Sequence, residues 1–279
     1  PRSSIRCWSG TSSMRTVTRL YLSNDTSARA AGAGVLADAW SEHPEVQLIR
    51  ISSRGAFYLE PMVERDSPAG RVAWFNVTAQ DLPLILSGTD GTPVRSIPFL
   101  AQQTRFTFAD FGETEPLALD EYQARGGLSG LETALRIGPD AIIEELQVSQ
   151  LRGRGGAAFP VWNKWKVAQQ ARADQKYVVA NADEGDAGTY CDRMILEGDP
   201  FRLLEGMLIC ARAIGAGRGY VYCRQEYPAA AKTLRAAIQK ADEAELLELD
   251  GEPFPIEGVE GAGSYVCGEE TALLESLEG

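Results

Sequence analysis

The second half of the chain alternates short apolar segments with amphipathic ones, and this alternation constrains the fold more than any other feature. Residues 176–181 (KYVVAN) and 219–223 (GYVYC) are apolar runs typical of buried strands. Helix-like segments follow at residues 199–217 and 227–241. Because a βαβα order places strands side by side with helices on their faces, we predict a mostly parallel sheet.

The helix at residues 199–217 has clear boundary signals. Asp199 is a suitable N-cap, Pro200 suits the first turn and Gly217 is the expected stop. Its core face should consist of the apolar residues at helical spacing, namely Leu204, Met207, Leu208, Ala211 and Ile214.

Two polar clusters follow predicted strands. The acid-rich residues 242–260 are predicted to be a solvated connection, and 264–268 (SYVCG) a strand leading into a final helix. Clusters NADEGDAG (181–188) and GEET (268–271) therefore each follow a strand, where parallel sheets bind ligands. Alternatively, the first is an ordinary turn and the acids of the second complement a helix dipole.

The first part of the chain has a different order of elements. Residues 17–112 contain strand and helix patterns in the order β, α, β, β, β, α, with one long helix over 26–41 and a strand over 56–64. This order predicts a small thioredoxin-like α/β domain. The segment has no cysteine, so it carries no redox-active thiol and no cluster. Residues 113–150 should be a helical connection, with helices over 129–137 and 139–151.

Charge and residue counts exclude several functional classes. The net charge of −12 repels phosphate backbones and anionic lipid, which argues against nucleic acid as a partner. No run approaches the roughly 18 apolar residues of a membrane span. Five scattered cysteines suit a reducing compartment, so we expect a cytoplasmic protein. His43 is the single histidine, which argues against a catalytic triad and excludes a multi-histidine metal site. We expect no metal site in this chain, and chemistry that relies on an organic cofactor.

A glycine-rich segment at residues 151–166 (LRGRGGAAFPVWNKWK) precedes the parallel sheet. Gly153-x-Gly155-x-x-Ala158 formally matches a dinucleotide fingerprint, but a helix rather than a strand precedes it, and no Walker GK[ST] follows. Glycines expose main-chain N–H groups, and Arg152, Arg154 and Lys164 add positive charge. The segment suits a phosphate, a flavin ring or both; an Arg/Gly surface loop is the alternative.

Taken together, these motifs resemble a known family. Residues 152–160, 176–190, 217–230 and 261–279 are similar, in this order and spacing, to the NADH-oxidising flavoprotein subunit of respiratory complex I and its relatives. Those relatives include the diaphorase subunits of NAD-reducing hydrogenases and the beta subunits of NAD-dependent formate dehydrogenases. The resemblance covers about residues 120–279. It implies a Rossmann-like domain over 151–279 that binds FMN and NAD(H) and passes hydride between them.

The resemblance also implies roles for particular residues. Phe159 would stack on the adenine of NADH, and Glu184, Asp186 and Tyr265 would lie near the nicotinamide, with the flavin itself as the reactive group. Asn181 and Asp183 fall on the isoalloxazine and ribityl contacts. The residues placed around the FMN and the NAD phosphates are Gly153, Arg154, Gly155, Gly156 and Lys164. The second wall of the flavin site would consist of Gly268, Glu269 and Glu270.

Three features bear on the branch of the family and on completeness. Residues 96–135 and the NADEGD motif look like those of formate dehydrogenase beta subunits, which we favour over complex I and hydrogenase subunits. Val161-Trp162 replaces the family's Thr-Gly and could crowd the dinucleotide.

The family's [4Fe-4S] domain is absent from this sequence, so we expect a truncated electron-transport subunit, and a non-catalytic scaffold is the alternative of another class. Expected partners are iron-sulfur subunits of the same complex: a thioredoxin-like [2Fe-2S] subunit and a catalytic alpha subunit.

The amino terminus looks unnatural. Residues 1–16 are rich in arginine and serine and free of acids, which fits either a transit peptide or translated upstream sequence before Met14. We expect them to be a disordered or non-native extension.

Overall fold

The computed structural model describes residues 17–186 and 188–279. The predicted extension at residues 1–16 lies outside the described residues. Two separate sheets, one in each half of the chain, organise the structure.

The first sheet has the order β2-β1-β3-β4-β5. Strands β1 and β2 are parallel, whereas β3 is antiparallel to both of its neighbours. This arrangement agrees with the predicted thioredoxin-like fold, and its core contains Leu20, Leu22, Trp40, Val63 and Ile85, all buried. The strands are β1 Thr18–Ser23, β2 Val46–Ile51, β3 Val63–Ser67, β4 Gly70–Trp74 and β5 Thr92–Pro93, and the helices are α1 Thr26–Ala30, α2 Ala33–Trp40, α3 Leu82–Ser87 and α4 Pro98–Ala101.

Two predictions for this half were wrong in detail. The single helix expected over 26–41 is divided into α1 and α2 by Gly32, which has φ of +109°. The strand expected over 56–64 begins only at Val63, because a 3-10 turn at Phe57–Leu59 and then Pro61 interrupt the extended pairing. We call residues 17–112 the front unit below; its exact boundary stays a prediction.

Three helices connect the two halves: α5 Leu119–Ala124, α6 Ser129–Ile137 and α7 Pro139–Ser149. The last two were predicted. Glu205 from the second half accepts hydrogen bonds from the Tyr122 hydroxyl and from the amides of Leu128 and Leu131, the latter two at 3.0 Å. This carboxylate therefore links α5 and α6 to the second half, and Leu131, Ala134 and Ile142 pack into the same core as the residues of α10.

The second sheet has the order β10-β7-β6, and all of its pairings are parallel, as predicted. A small hairpin, β8 Glu248–Leu249 with β9 Glu252–Pro253, lies outside it. The strands of the second sheet are β6 Tyr177–Ala182, β7 Arg218–Cys223 and β10 Ile256–Glu260. The helices of this half are α8 Val161–Gln170, α9 Cys191–Gly198, α10 Pro200–Ile214, α11 Pro228–Glu243 and α12 Glu270–Glu278.

Helix α10 forms much of the core of this half. Asp199 is its N-cap and Pro200 its first residue, as predicted. The predicted stop at Gly217 was two residues late, because Gly215 supplies the left-handed conformation, with φ of +73°, that ends the helix. The predicted core face is buried throughout: Leu204, Met207, Leu208, Ala211 and Ile214.

The third parallel strand is not where the sequence indicated. Residues 264–268 form a 3-10 helix, Tyr265–Gly268, rather than a strand. Strand β10 lies instead within the segment predicted to be a solvated connection. It pairs with β7 alone, so it is an edge strand, and its acids at Glu257 and Glu260 can face solvent. Among the described residues, no helix is both long and apolar enough to cross a bilayer.

Candidate functional site

The glycine-rich loop before α8 is closed at its base by main-chain pairing. The Gly153 amide donates to the Phe159 oxygen at 2.8 Å, and Val161 donates to Leu151 at 3.0 Å. Between these bonds, the amides of residues 154–159 donate to no acceptor in the described part of the chain. Such a run of free N–H groups is suited to phosphate oxygens.

A cleft of about 610 Å³ lies between this loop, α8 and the start of α12. A methyl group placed on Gly155 would meet no protein atom within 4 Å and would project into open space. The backbone can therefore be approached closely by a flat ligand. The cleft is lined by Gly153, Gly155, Ala157, Ala158, Phe159, Val161, Asn163, Lys164, Trp165, Val167 and Glu270.

Positive charge lies along the loop and α8. Arg152 donates to the Ala158 oxygen at 3.0 Å, which supports the loop. Arg154 is exposed and makes no salt bridge with a described residue. Lys164 reaches Glu270 of α12 at 3.4 Å, with both side chains largely exposed. This exposed pair contributes little to stability, but it places the predicted second wall opposite the loop.

The NADEGD segment follows β6 and packs directly on the Gly268 segment. The Asn181 side-chain amide donates to the Gly268 oxygen at 2.9 Å, while its oxygen accepts the Asp183 amide at 3.1 Å. A methyl group on Gly268 would lie 2.9 Å from the Asp183 main-chain oxygen. The two predicted clusters therefore meet main chain to main chain.

A buried carboxyl, Asp183, lies beside an arginine that the sequence did not single out. Burial raises the pKa of Asp183, and Arg224 opposes this shift. Arg224 donates to the main-chain oxygen of Glu184 and, at 3.1 Å, to the carboxylate of Glu226. Arg224 lies directly after β7, at the same sheet edge as the NADEGD segment, and this position in the sequence could have identified it as a candidate site residue.

Glu184 was predicted to lie near the nicotinamide, but its carboxylate accepts hydrogen bonds from α9 and from Tyr227. It is buried and accepts hydrogen bonds from the first amides of α9, at 2.8 Å from Cys191, 3.3 Å from Asp192 and 3.4 Å from Arg193. The Tyr227 hydroxyl donates to it at 3.1 Å. The carboxylate therefore caps α9, as anions at helix N-termini do.

Glu184, Cys191 and Asp192 also bring three potential metal-ligand atoms within 4.8 Å of one another. Burial and the two carboxylates raise the pKa of the Cys191 thiol to about 12. Both carboxylate oxygens of Glu184 already accept hydrogen bonds from the α9 amides and from Tyr227. The cluster is better explained as the capped start of α9.

The other predicted residues lie around the same region. Tyr265 is 78% exposed and packs over Gly185, where an added methyl group would lie 2.9 Å from its ring. Asp186 is exposed and accepts the Gly188 amide at 2.9 Å. Phe159 is 51% exposed, and Glu269 caps α12 through the Ala272 amide at 3.1 Å.

Trp162, which replaces a family glycine, is half-buried and is absent from the residues that line the cleft. Its neighbours on α8, Val161 and Lys164, line the cleft instead. Of the two replaced residues, one therefore borders the cleft and the other does not.

A parallel sheet with an open glycine-rich loop, and with polar residues at the ends of β6 and β7, defines a nucleotide-binding or flavin-binding α/β domain. Residues 146–279 match the family model described as the Nuo51 FMN-binding domain. Through this segment the chain is similar to the NADH-binding flavoprotein subunits, which confirms the predicted resemblance.

Curated relatives match most of the second half. The HndC protein of the NADP-reducing hydrogenase of Solidesulfovibrio fructosivorans is 47% identical over 182 residues, covering 64% of this chain and 37% of the relative. An NADH-quinone oxidoreductase subunit of Aquifex aeolicus is 48% identical over 166 residues, covering 58% and 39%. Its Escherichia coli counterpart is 44% identical over 173 residues, covering 60% and 39%. The matched region thus spans well under half the length of these relatives.

A solved structure matches nearly the whole chain. The crystal structure of an NAD+-reducing [NiFe]-hydrogenase in the H2-reduced state aligns with a TM-score of 0.52 and 27% identity. The alignment covers 94% of this chain and 46% of that one. The likeness therefore includes the front unit as well as the second half.

Proposed function

We propose that this chain binds FMN in the cleft between the glycine-rich loop and α12 and carries hydride between NAD(H) and the flavin. The observation that carries the proposal is the convergence of three clusters distant in sequence. The Asn181–Gly268 hydrogen bond joins two of them, and the Lys164–Glu270 pair joins the third. Open main-chain N–H groups in the loop provide a site for phosphate.

The residues of the loop would hold the phosphate-bearing end of the ligands. The free amides of residues 154–159 and the exposed Arg154 and Lys164 offer donors and positive charge in an otherwise acidic protein. Phe159, half-exposed at the cleft, would stack on the adenine of NADH. Gly153, Gly155 and Gly156 would allow the ligand to approach the backbone.

The strand ends would hold the flavin and the nicotinamide. Asn181 and Asp183 would contact the isoalloxazine and ribityl groups, with Gly268, Glu269 and Glu270 as the opposite wall. Asp186 and the exposed Tyr265 would lie at the nicotinamide. We assign Glu184 a positioning role there, since its carboxylate is occupied by α9.

When bound, FMN would supply the hydride-accepting N5 atom, so that no residue need act as a general acid or base. The contribution of this chain would be binding and orientation. Asp183, whose pKa is raised by burial, and the neighbouring Arg224 would set the local charge.

Flavin binding can be tested with two glycine substitutions that are equally harmless to the protein. A methyl group at Gly155 or at Gly206 meets no atom within 4 Å, but only Gly155 lines the cleft. Gly155→Ala should weaken FMN binding, measured by quenching of flavin fluorescence, whereas Gly206→Ala in α10 should not. In the wild-type chain with FMN bound, anaerobic NADH should bleach the flavin absorption at about 450 nm. Failure of the wild-type chain to bind FMN would refute the proposal.

We further propose that the full-length protein is the diaphorase subunit of an NAD-dependent formate dehydrogenase, with a [4Fe-4S] cluster and iron-sulfur partner subunits. Residues 96–135 and the NADEGD motif favour this branch. A subunit of NADH-quinone oxidoreductase is 48% identical and a subunit of a NADP-reducing hydrogenase 47% identical over the matched residues, so both kinds of complex are alternatives. Purifying the assembly that contains this chain and comparing formate, hydrogen and NADH as electron donors would decide. A cytoplasmic location stays a prediction.

A non-catalytic scaffold is the alternative of another class. Val161-Trp162 is the sequence feature that favours it; Val161 lines the cleft, whereas Trp162 does not. Retention of FMN without reduction by NADH would favour the scaffold.

A further inference from the structure

Helix α9, which follows the NADEGD segment, is attached to the front unit by part-buried polar contacts. The Glu197 carboxylate accepts the Thr26 amide at 2.6 Å and the Thr26 hydroxyl at 2.5 Å. Arg193 donates to the Ser27 hydroxyl at 2.7 Å. Arg193 and Glu197 are both buried, whereas Thr26 is exposed, so the front unit supplies hydrogen-bond partners to two charged side chains that are themselves shielded from water.

Close packing accompanies these polar contacts. The Phe57 and Tyr190 rings meet edge to face with centroids 4.9 Å apart. A methyl group on Gly198 would lie 2.7 Å from Phe111 and 2.8 Å from Ser52. Both ends of α9 are therefore fitted to residues of the front unit.

The N-terminal end of α9 is also attached to the proposed flavin site. Glu184, within the NADEGD segment, caps the helix through the amides of Cys191, Asp192 and Arg193. The side chain of Arg193 thus contacts the front unit, and the main-chain amide of the same residue donates to Glu184. Any displacement of α9 must move Glu184 and the adjacent Asp183.

We propose that the front unit positions the flavin-site loop through α9, with Thr26, Ser27, Arg193 and Glu197 as positioning residues. The front unit has no cysteine of its own, so this role accounts for a redox-inactive unit packed against a redox site. The inference rests on the proposed flavin site.

The test removes two hydroxyl groups that lie in the front unit, outside the proposed binding residues. The double variant Thr26→Val with Ser27→Ala deletes the hydroxyl partners of Glu197 and Arg193, while the Thr26 amide still donates. FMN affinity should fall by about threefold to thirtyfold. Thr26→Ser, which keeps the hydroxyl, should bind FMN like the wild type.

Two controls separate positioning from a general loss of stability. Thr89→Val with Ser41→Ala removes two exposed hydroxyls of the front unit that do not contact α9. Ile85→Val destabilises the core of the front unit without touching α9. Neither variant should change FMN affinity at a temperature where all the proteins are folded.

Hydrogen exchange of the ligand-free protein provides a readout independent of flavin. Amides of residues 184–186 and 188–193 should exchange faster in the double variant than in either control. Unchanged exchange in this segment would overturn the proposal, as would an equal loss of FMN affinity in Ile85→Val. If the wild type binds no FMN, the proposed function fails, and the exchange rates still decide whether the front unit holds the loop.

Discussion

The side-chain amide of Asn181 lies 2.9 Å from the main-chain oxygen of Gly268 and donates a hydrogen bond to it. These residues are 87 positions apart in the chain. The contact joins the end of a strand to the start of α12, and it leaves little space at Gly268.

Gly268→Ala should disturb the candidate site. The added methyl group would lie 2.9 Å from the Asp183 main-chain oxygen, and a backbone atom cannot turn aside as a flexible side chain can. We expect a loss of about 1–3 kcal/mol in the free energy of unfolding, measured in urea, and weaker FMN binding. Gly206→Ala, where the methyl group meets nothing, is the control. Wild-type stability and FMN affinity in Gly268→Ala would contradict the observed packing.

Glu184→Gln should lower stability. The substitution replaces a carboxylate that accepts three amides of α9 and the Tyr227 hydroxyl with a neutral group. Loss of charge-assisted bonds should cost about 1–3 kcal/mol in unfolding experiments. The exposed Glu248→Gln serves as a control. Unchanged stability combined with a higher NADH concentration at half-saturation would instead indicate direct contact with the nicotinamide.

Ala158→Gly should stabilise the glycine-rich loop. Ala158 has φ of +50°, a left-handed conformation that costs alanine roughly 1–2 kcal/mol but costs glycine little. After the entropy that glycine loses on folding, we expect a net gain of up to about 1 kcal/mol in thermal unfolding. The neighbouring Ala157→Gly should give no gain, because Ala157 lacks the positive φ. Equal effects at both positions would count against strain at Ala158.

Asp25→Asn should change the pH dependence of stability. Asp25 caps α1 through the Ala28 amide at 2.7 Å, its other oxygen has no partner among the described residues, and burial raises its pKa from 3.8 to about 6. A raised carboxyl pKa means that this group favours folding when it is protonated, and that the benefit is lost as pH rises from about 4 to 6. Asparagine keeps the cap and stays neutral.

The free energy of unfolding should therefore be similar for both proteins below about pH 4, and it should favour Asp25→Asn by about 3 kcal/mol above pH 6, since two pKa units correspond to that amount. Urea unfolding at several pH values measures the difference. The exposed Asp38→Asn should show no such trend. A difference independent of pH would mean that Asp25 is not destabilised by ionisation.

Much of the local structure could be predicted from the sequence. The buried face of α10, the strands β1, β6 and β7, and the cap at Asp199 are visible in apolar spacing and in Asp-Pro, because these signals act within a few residues. The family resemblance also identified the clusters that the structure brings together.

The errors arose where local pattern and tertiary pairing disagree. Strand β10 has acids because it lies at a sheet edge, and only its pairing with β7 makes it a strand. Tyr265–Gly268 has an apolar composition that suits a strand, but no neighbouring strand pairs with it. Helix α9 was missed because much of its stabilisation comes from Glu184 and from distant partners.

The sequence by itself determined the buried face of α10, the strands β6 and β7, and which residue types are available for a flavin site, since periodicity and composition are local properties. Only the tertiary structure decided that Glu184 caps α9, that Arg224 lies beside Asp183, and that Thr26 holds Glu197. A buried carboxylate must find hydrogen-bond donors wherever the folded chain provides them, and for Glu197 the donors are 171 residues away.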